Sequence, residues 1–282
     1  MNYSEWLKGY KLKQIRLLKN NEKVFGRHLK NLRGKIEVPE KVDLVFTGKL
    51  RKSLNEYSDD YEESLKEQIG KSAGLRMAGA GLLAVPFIAS LGKEEATKAL
   101  EKGFGGIADK VVENAFIDKL PSGLSLLERI WDLRYEQDIV TMLQGGLNAG
   151  LSTEQIAKTL DNFILPDRTV TTMTPYGRSL NFDSMRLART EVMDAARAAD
   201  FQMMRDTPWV TGLTWEAWGD NPCDQCESMD GKVYHDETEV EDTHPQCVCG
   251  LVPEVISMDD WTTGLDNFMA GNDTMGIGEF LE

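Results

Sequence analysis

All four cysteines of the chain, Cys223, Cys226, Cys247 and Cys249, fall within residues 223–249, and His244 lies among them. The pattern is Cys-x2-Cys-x17-His-x2-Cys-x-Cys. Zinc takes four soft or borderline donors in a tetrahedron, and two knuckles with two-residue spacings supply them. Cys223 with Cys226 forms one such knuckle, and His244 with Cys247 forms another. Five donors compete for four positions. The favoured set is Cys223, Cys226, His244 and Cys247, with Cys249 as substitute; a four-cysteine site with His244 behind it is the next choice. If "QCVCGLV" is a strand, Cys247 and Cys249 point to one face and either can reach the metal. A closed set of this kind is structural.

Two other chemistries use the same residues. A disulfide or dithiol pair needs no metal, and a thioredoxin-type site places Cys-x-x-Cys at a helix start after a strand. Here Pro222 precedes the pair, and a turn and a short strand are expected after it, so zinc is the reading taken. A small module gains from a structural zinc, which contributes on the order of 10 kcal/mol in apparent terms. Hydrolytic and nucleophilic chemistry have little to build on. There is no HExxH, the chain has only His28, His235 and His244, and a Cys226–His235 pair lacks an accompanying oxyanion-hole signature. Neither enzyme activity nor a small-molecule substrate is expected.

The elements that must position the cluster can be read from periodicity. "WVTGLTWEAWGD" alternates Leu213, Trp215 and Ala217 against Thr214, Glu216 and Trp218, which predicts a strand. Asp230-Gly231 is a hairpin signal. Asp183 is expected to cap a helix packed through Met185, Ala188, Val192, Ala195, Ala199 and Met203. Upstream, β-branched residues flanking Pro175-Tyr176-Gly177 suggest another hairpin. Ser152 and Gln155 fit a capping box. A long helix through Leu126, Ile130, Leu133, Ile139, Leu143 and Leu147 should stop near Gly150. Leu50, Leu54, Tyr57, Tyr61, Leu65 and Ile69 mark a helical seam. Residues 93–118 look helical but are weakened by "GFGG". The apolar run 77–91 is short for a membrane span and is broken by Pro86, so a buried helix pair is expected there. A segment meeting a membrane is the minority alternative.

Net charge is −14, unevenly spread. Residues 1–35 hold ten Lys/Arg against Glu5 and Glu22, whereas residues 216–282 hold seventeen Asp/Glu against Lys232 alone. The basic end reads as a helix over 4–34, either packed as core or used as an arm that meets something acidic. Its candidate contacts are Lys8, Lys11, Lys13, Arg16, Lys19 and Arg27. In "RLARTE", Arg189 and Glu191 either contact a partner, brace the cluster, or pair on the helix surface. The last 25 residues either dock a short helix around Trp261, Leu265 and Phe268 or stay loose. No secretory leader pattern opens the chain, so synthesis in a reducing cytoplasm is expected. The fold class is α+β, mainly α: a long-helix N-terminal region followed by a small α+β module with β-hairpins and the Cys/His cluster. The expected divisions are a basic helical arm (1–36), a helical region (37–120), a cluster-bearing module (121–255) and an acidic tail (256–282).

Together, "LSLLERIWDL", "GLNAGLSTEQIAKTL", "RLARTEV", "TWEAWGDNPCDQCESMDGKVY" and "HPQCVCGLVP" resemble the Mu F-like phage head morphogenesis (minor head, or minor capsid) proteins. The resemblance runs from about Leu120 to Val255 and is most specific over residues 183–252. It implies a virion protein that associates with the portal protein and acts in capsid assembly, made in the host cytoplasm. Packaged double-stranded DNA and other head or scaffold proteins are further partners under this reading, and DNA packaging or ejection a further role. Where the family usually reads Arg between its last two cysteines, this chain has Val248, which removes a positive charge from that loop. The competing class is a zinc-ribbon nucleic-acid module that uses the basic N-terminal helix, because the acidic surroundings of the cysteines repel phosphate.

Overall fold

The computed structural model describes residues 3–91, 106–107, 109–111, 113, 134–165, 180–219, 222–240, 243–244 and 247–281. Among the described residues five longer helices come first: α1 (Tyr3–Lys35), α2 (Leu44–Ile88), α3 (Arg134–Asn148), α4 (Thr153–Ile164) and α5 (Leu180–Asp206). Strand β1 (Val210–Glu216), short helix α6 (Asp224–Met229), β2 (Val233–Tyr234), β3 (Gly250–Val255), α7 (Met258–Met269) and α8 (Ile277–Leu281) follow. The fold is α+β and mainly α, as the sequence pattern predicts. The chain forms two compact units, each gathered from separated segments.

One unit comprises Leu18–Gln68 and Ala115–Arg189. The predicted seam is present, with Leu50, Leu54, Tyr57, Tyr61 and Leu65 all buried. Helix α2 begins before the seam because Asp43 caps it, accepting from the Phe46 N–H at 2.9 Å. Phe25 of α1 packs on Tyr61 with ring centroids 4.6 Å apart, so this part of the basic helix has an apolar face of its own. Tyr57 donates to Ser184 Oγ at 3.0 Å and Tyr61 to the Ser184 carbonyl at 2.7 Å. These bonds satisfy buried phenols that would otherwise cost stability.

Helix α3 stops at Asn148, and Gly150 takes φ +67°, where a β-carbon would be strained. The capping box forms as expected. Gln155 N–H donates to Ser152 Oγ at 3.2 Å, and Ser152 N–H donates to Gln155 Oε1 at 2.8 Å. Ser152→Ala is expected to cost about 1 kcal/mol in chemical denaturation, the usual worth of an N-cap. Helix α5 starts at Leu180, three residues before the expected cap, so Asp183 lies in its first turn and accepts from Tyr135 at 3.0 Å. The predicted hairpin around Pro175 and the segment 126–133 of the long helix lie outside the described residues.

The other unit comprises Met1–Leu17, Ile69–Asn114 and Thr190–Glu282. The apolar run is not a separate helix pair. Through Ile88 it is the continuation of α2, with Pro86 tolerated in the last turn and Met77, Ala80, Ala84, Phe87 and Ile88 buried. No helix of the described residues is long and apolar enough to cross a membrane. Phe87 stacks on Trp209 at 5.6 Å, and Trp261 meets both rings edge-on, at 5.8 and 5.9 Å. Phe280 closes this aromatic group against Trp209 at 5.1 Å. Burial of that much aromatic surface docks α7 and α8, so residues 258–281 are not a loose tail.

The sheet is antiparallel in the order β2-β1-β3. Leu213 opposes Tyr234 on one side and Pro253 on the other, and Trp215 opposes Leu251. Pro253 is tolerated because β3 is an edge strand. Behind the sheet lies a buried ion pair. Arg76 of α2 donates through Nε to Asp200 of α5 and through Nη2 to the Leu251 carbonyl of β3. Both charged side chains are 2% exposed. Burial lifts the Asp200 carboxyl to about 7, against the pull of the Arg76 guanidinium. A helix, a second helix and a strand edge are thereby tied at one point.

Candidate metal centre

β1 delivers the chain to the cluster. After Glu216, Trp218 folds inward to 8% exposure, although strand alternation had placed it opposite Leu213 and Trp215. Cys223 then caps α6, and its Sγ accepts from the Cys226 N–H at 3.4 Å. The turn and short strand expected after the first cysteine pair are present at Asp230-Gly231 and β2, but one and a half turns of helix, which the sequence reading did not include, come before them. Asp230-Gly231 turns the chain from α6 into β2, with Gly231 at φ +77°. Asp230 Oδ1 accepts from the Ala217 N–H at 2.8 Å, which ties this turn to the end of β1.

The second half of the pattern approaches from the other side. Cys247 and Cys249 are not in a strand, since β3 starts at Gly250. A turn closed by the Cys247 N–H on the His244 carbonyl at 3.2 Å brings the donors inward. Cys226, Cys247 and Cys249 have their sulfurs mutually within 4.8 Å, and so do the donor atoms of Cys223, Cys226 and His244. Cys226 belongs to both groups. Its Sγ is 3.4 Å from His244 Nε2 and 3.6 Å from Cys247 Sγ. A tetrahedral zinc with Zn–S near 2.3 Å places its sulfurs about 3.7 Å apart, so these spacings fit a single small ion. The five sequence-predicted donors form two adjoining groups of three that share Cys226, and these groups could hold a metal ion.

The thiols interact strongly. A hydrogen bond with Cys249 draws the Cys247 thiol down to about 5; burial opposes this and the Arg197 guanidinium assists it. The same hydrogen bond and burial push the Cys249 thiol up. Burial pushes Cys226 up to about 12. These couplings favour negative charge on Cys247 and disfavour it on Cys226 and Cys249. A divalent cation would supply the charge needed to ionise the others.

Three surrounding residues carry no motif signal. Arg197 of α5 donates to the Cys249 carbonyl at 3.0 Å, to Thr243 Oγ1 at 3.3 Å and to Asp194, which fixes the loop that presents Cys247 and Cys249. Trp218 donates its backbone N–H to Cys249 Sγ at 3.4 Å. Gly250 lies under the Trp218 ring, where an added Cβ would sit 2.6 Å from Cζ2. Gly250→Ala is expected to lower stability by about 1–3 kcal/mol in thermal or urea unfolding, as overpacking does against an aromatic ring that cannot yield.

The remaining candidates are dispersed. Lys8, Lys13, Arg16, Lys19 and Arg27 are exposed on α1. Lys11 is engaged with Glu216 at 2.5 Å, and Arg189 is paired with Glu22. Glu191 is half-buried on α5. His235 is directed to the Thr211 carbonyl at 2.8 Å, so the histidine beside Cys226 is His244.

Comparison with known proteins finds no matching family model, no matching curated protein and no matching solved structure.

Proposed function

We propose that the chain is a phage minor head protein, associated with the portal and acting in capsid assembly, whose cluster-bearing module is held by one structural zinc. The observation that supports this reading is the pair of donor groups, Cys223, Cys226 and His244 in one and Cys226, Cys247 and Cys249 in the other, that meet at Cys226. They converge within the same motif order that resembles the Mu F-like head morphogenesis proteins. A Cys-x-x-Cys at a helix start after a strand also suits dithiol exchange. Three further donors packed around it favour a metal site, because a dithiol needs no second cluster. In this role zinc does no chemistry on a substrate. It neutralises the thiolates and fixes the end of the sheet, while the helices supply surfaces for the portal, and the protein resides in the virion after assembly in the host cytoplasm.

Metal analysis of the purified protein is expected to give about one zinc per chain. Co-expression with the portal protein of the same phage is expected to give a complex that survives size-exclusion chromatography, and virions are expected to contain the chain. A folded, metal-free chain refutes the zinc, and failure to join portal or virion refutes the assembly role.

A second reading, DNA contact through the basic helix, draws on the exposure of Lys8, Lys13, Arg16, Lys19 and Arg27, none of which has an ion pair among the described residues. Phosphate contacts would make binding fall with salt at a slope of about −0.9 per contact on logarithmic axes. A salt-independent affinity for duplex DNA, or none, removes this reading and leaves the portal role standing.

A further inference from the structure

Beside the cluster, in the unit that holds it, the first segment of α1 is fastened to the sheet through Glu216 and Trp218, and to α2 through Gln14, which donates to Ser72 Oγ at 3.1 Å. The backbone N–H of Trp218 bonds Cys249 Sγ at 3.4 Å, and its ring rests on Gly250, the residue after Cys249. On its other side the indole Nε1 donates to Glu216 Oε2 at 3.1 Å. The other oxygen of that carboxylate, Oε1, receives Lys11 Nζ at 2.5 Å. Lys11 Nζ also lies 5.5 Å from the Trp218 ring centre, and Tyr10 meets the ring edge-on at 5.9 Å. Trp218 thus faces the cluster with its backbone and α1 with its ring.

We propose that Trp218 is a latch through which occupancy of the Cys/His site governs the attachment of residues 8–17 to the sheet. The proposal rests on the zinc reading above. A bound metal fixes Cys249 and the start of β3, whether Cys249 is a ligand or the neighbour of one. The Trp218 N–H then has a stationary acceptor and its ring a stationary floor, so Glu216 and the indole together hold Lys11 and Tyr10. Loss of the metal frees residues 247–250, removes the floor and slackens the hold on the helix. The segment so released carries the exposed cations Lys8, Lys13 and Arg16. The metal therefore controls the presentation of a basic helix to an acidic partner as well as the stability of the module.

The test compares tryptic cleavage after Lys8, Lys11, Lys13 and Arg16 in zinc-loaded full-length protein, in protein treated with a zinc chelator, and in zinc-loaded Trp218→Phe. Zinc content is measured on each sample. Trp218→Phe keeps the backbone N–H to Cys249 but loses the indole bond to Glu216. It is expected to retain the wild-type zinc content yet be cut in segment 8–17 about tenfold faster than wild type, since cleavage tracks the population of the opened segment. Chelated wild type is expected to be cut at least as fast there. Wild-type resistance in zinc-loaded Trp218→Phe overturns the latch. So does continued protection of segment 8–17 in chelated protein whose cluster thiols have become open to alkylation. A purified wild type that contains no zinc overturns the metal reading and the latch with it, and the zinc count reports that separately from the cleavage rates.

Discussion

Replacing Cys226 with Ser is expected to abolish stoichiometric zinc binding and to cost more stability than any other single change at the cluster. Cys226 is the donor common to both three-residue groups, and its sulfur lies 3.4 Å from His244 and 3.6 Å from Cys247. Each group of three donors that the structure brings together includes it. If the substitution weakens zinc binding by about a thousandfold, it removes about 4 kcal/mol of metal-linked stability at saturating zinc. His244→Ala and Cys249→Ser are expected to lose less, because five donors serve four positions and each can be replaced by the other. The checks are zinc per chain and urea unfolding with and without added zinc. A Cys226→Ser protein that keeps one tightly held zinc would exclude the site as drawn.

Arg76→Met is expected to destabilise the unit by about 3–5 kcal/mol at pH 8, the range for breaking a buried pair and leaving its partner charged. Asp200 would then face a buried environment with its main counter-charge gone, and the Leu251 carbonyl would lose its donor. The pH dependence has a definite sign. Folded Asp200 titrates at about 7, above its ordinary value of 3.8. Its contribution is therefore fully present below pH 3.8 and is lost as pH rises through about 7. Removing Arg76 raises the folded value further, because that guanidinium is the largest influence lowering it. The mutant's deficit relative to wild type should accordingly shrink from pH 8 to pH 5, where Asp200 enters the core as the neutral acid. Measuring both proteins at each pH cancels any acid sensitivity of the Cys/His cluster. A pair of apolar replacements, Arg76→Met with Asp200→Leu, is expected to recover most of the loss. An equal deficit at both pH values would show that the pair's charge is not what matters.

Much of this was legible in residue order. The capping box at Ser152, the seam from Leu50 to Leu65 and the strand through Leu213 and Trp215 are local patterns whose period or hydrogen-bond chemistry acts within a few residues. Boundaries were less legible. The seam and the apolar run were read as separate helices, yet α2 runs through both, because an uninterrupted backbone ladder does not require one hydrophobic period. The turn and strand after the Cys-x-x-Cys were legible, but the helix before them was not, because a thiol can serve as an N-cap and Cys223 opens that helix.

Sequence alone determined the identity of the five candidate donors, the α+β class and the separation of basic and acidic ends, because each depends on residue type and short spacing. Only the tertiary structure decided that Cys226 is shared by both donor groups. It alone placed Arg197 and Trp218 against the cluster loop, and Arg76 against Asp200, 124 residues away. Those pairings join segments whose order along the chain carries no record of their proximity. They form because an unpaired buried charge or backbone group costs more than bringing distant segments together.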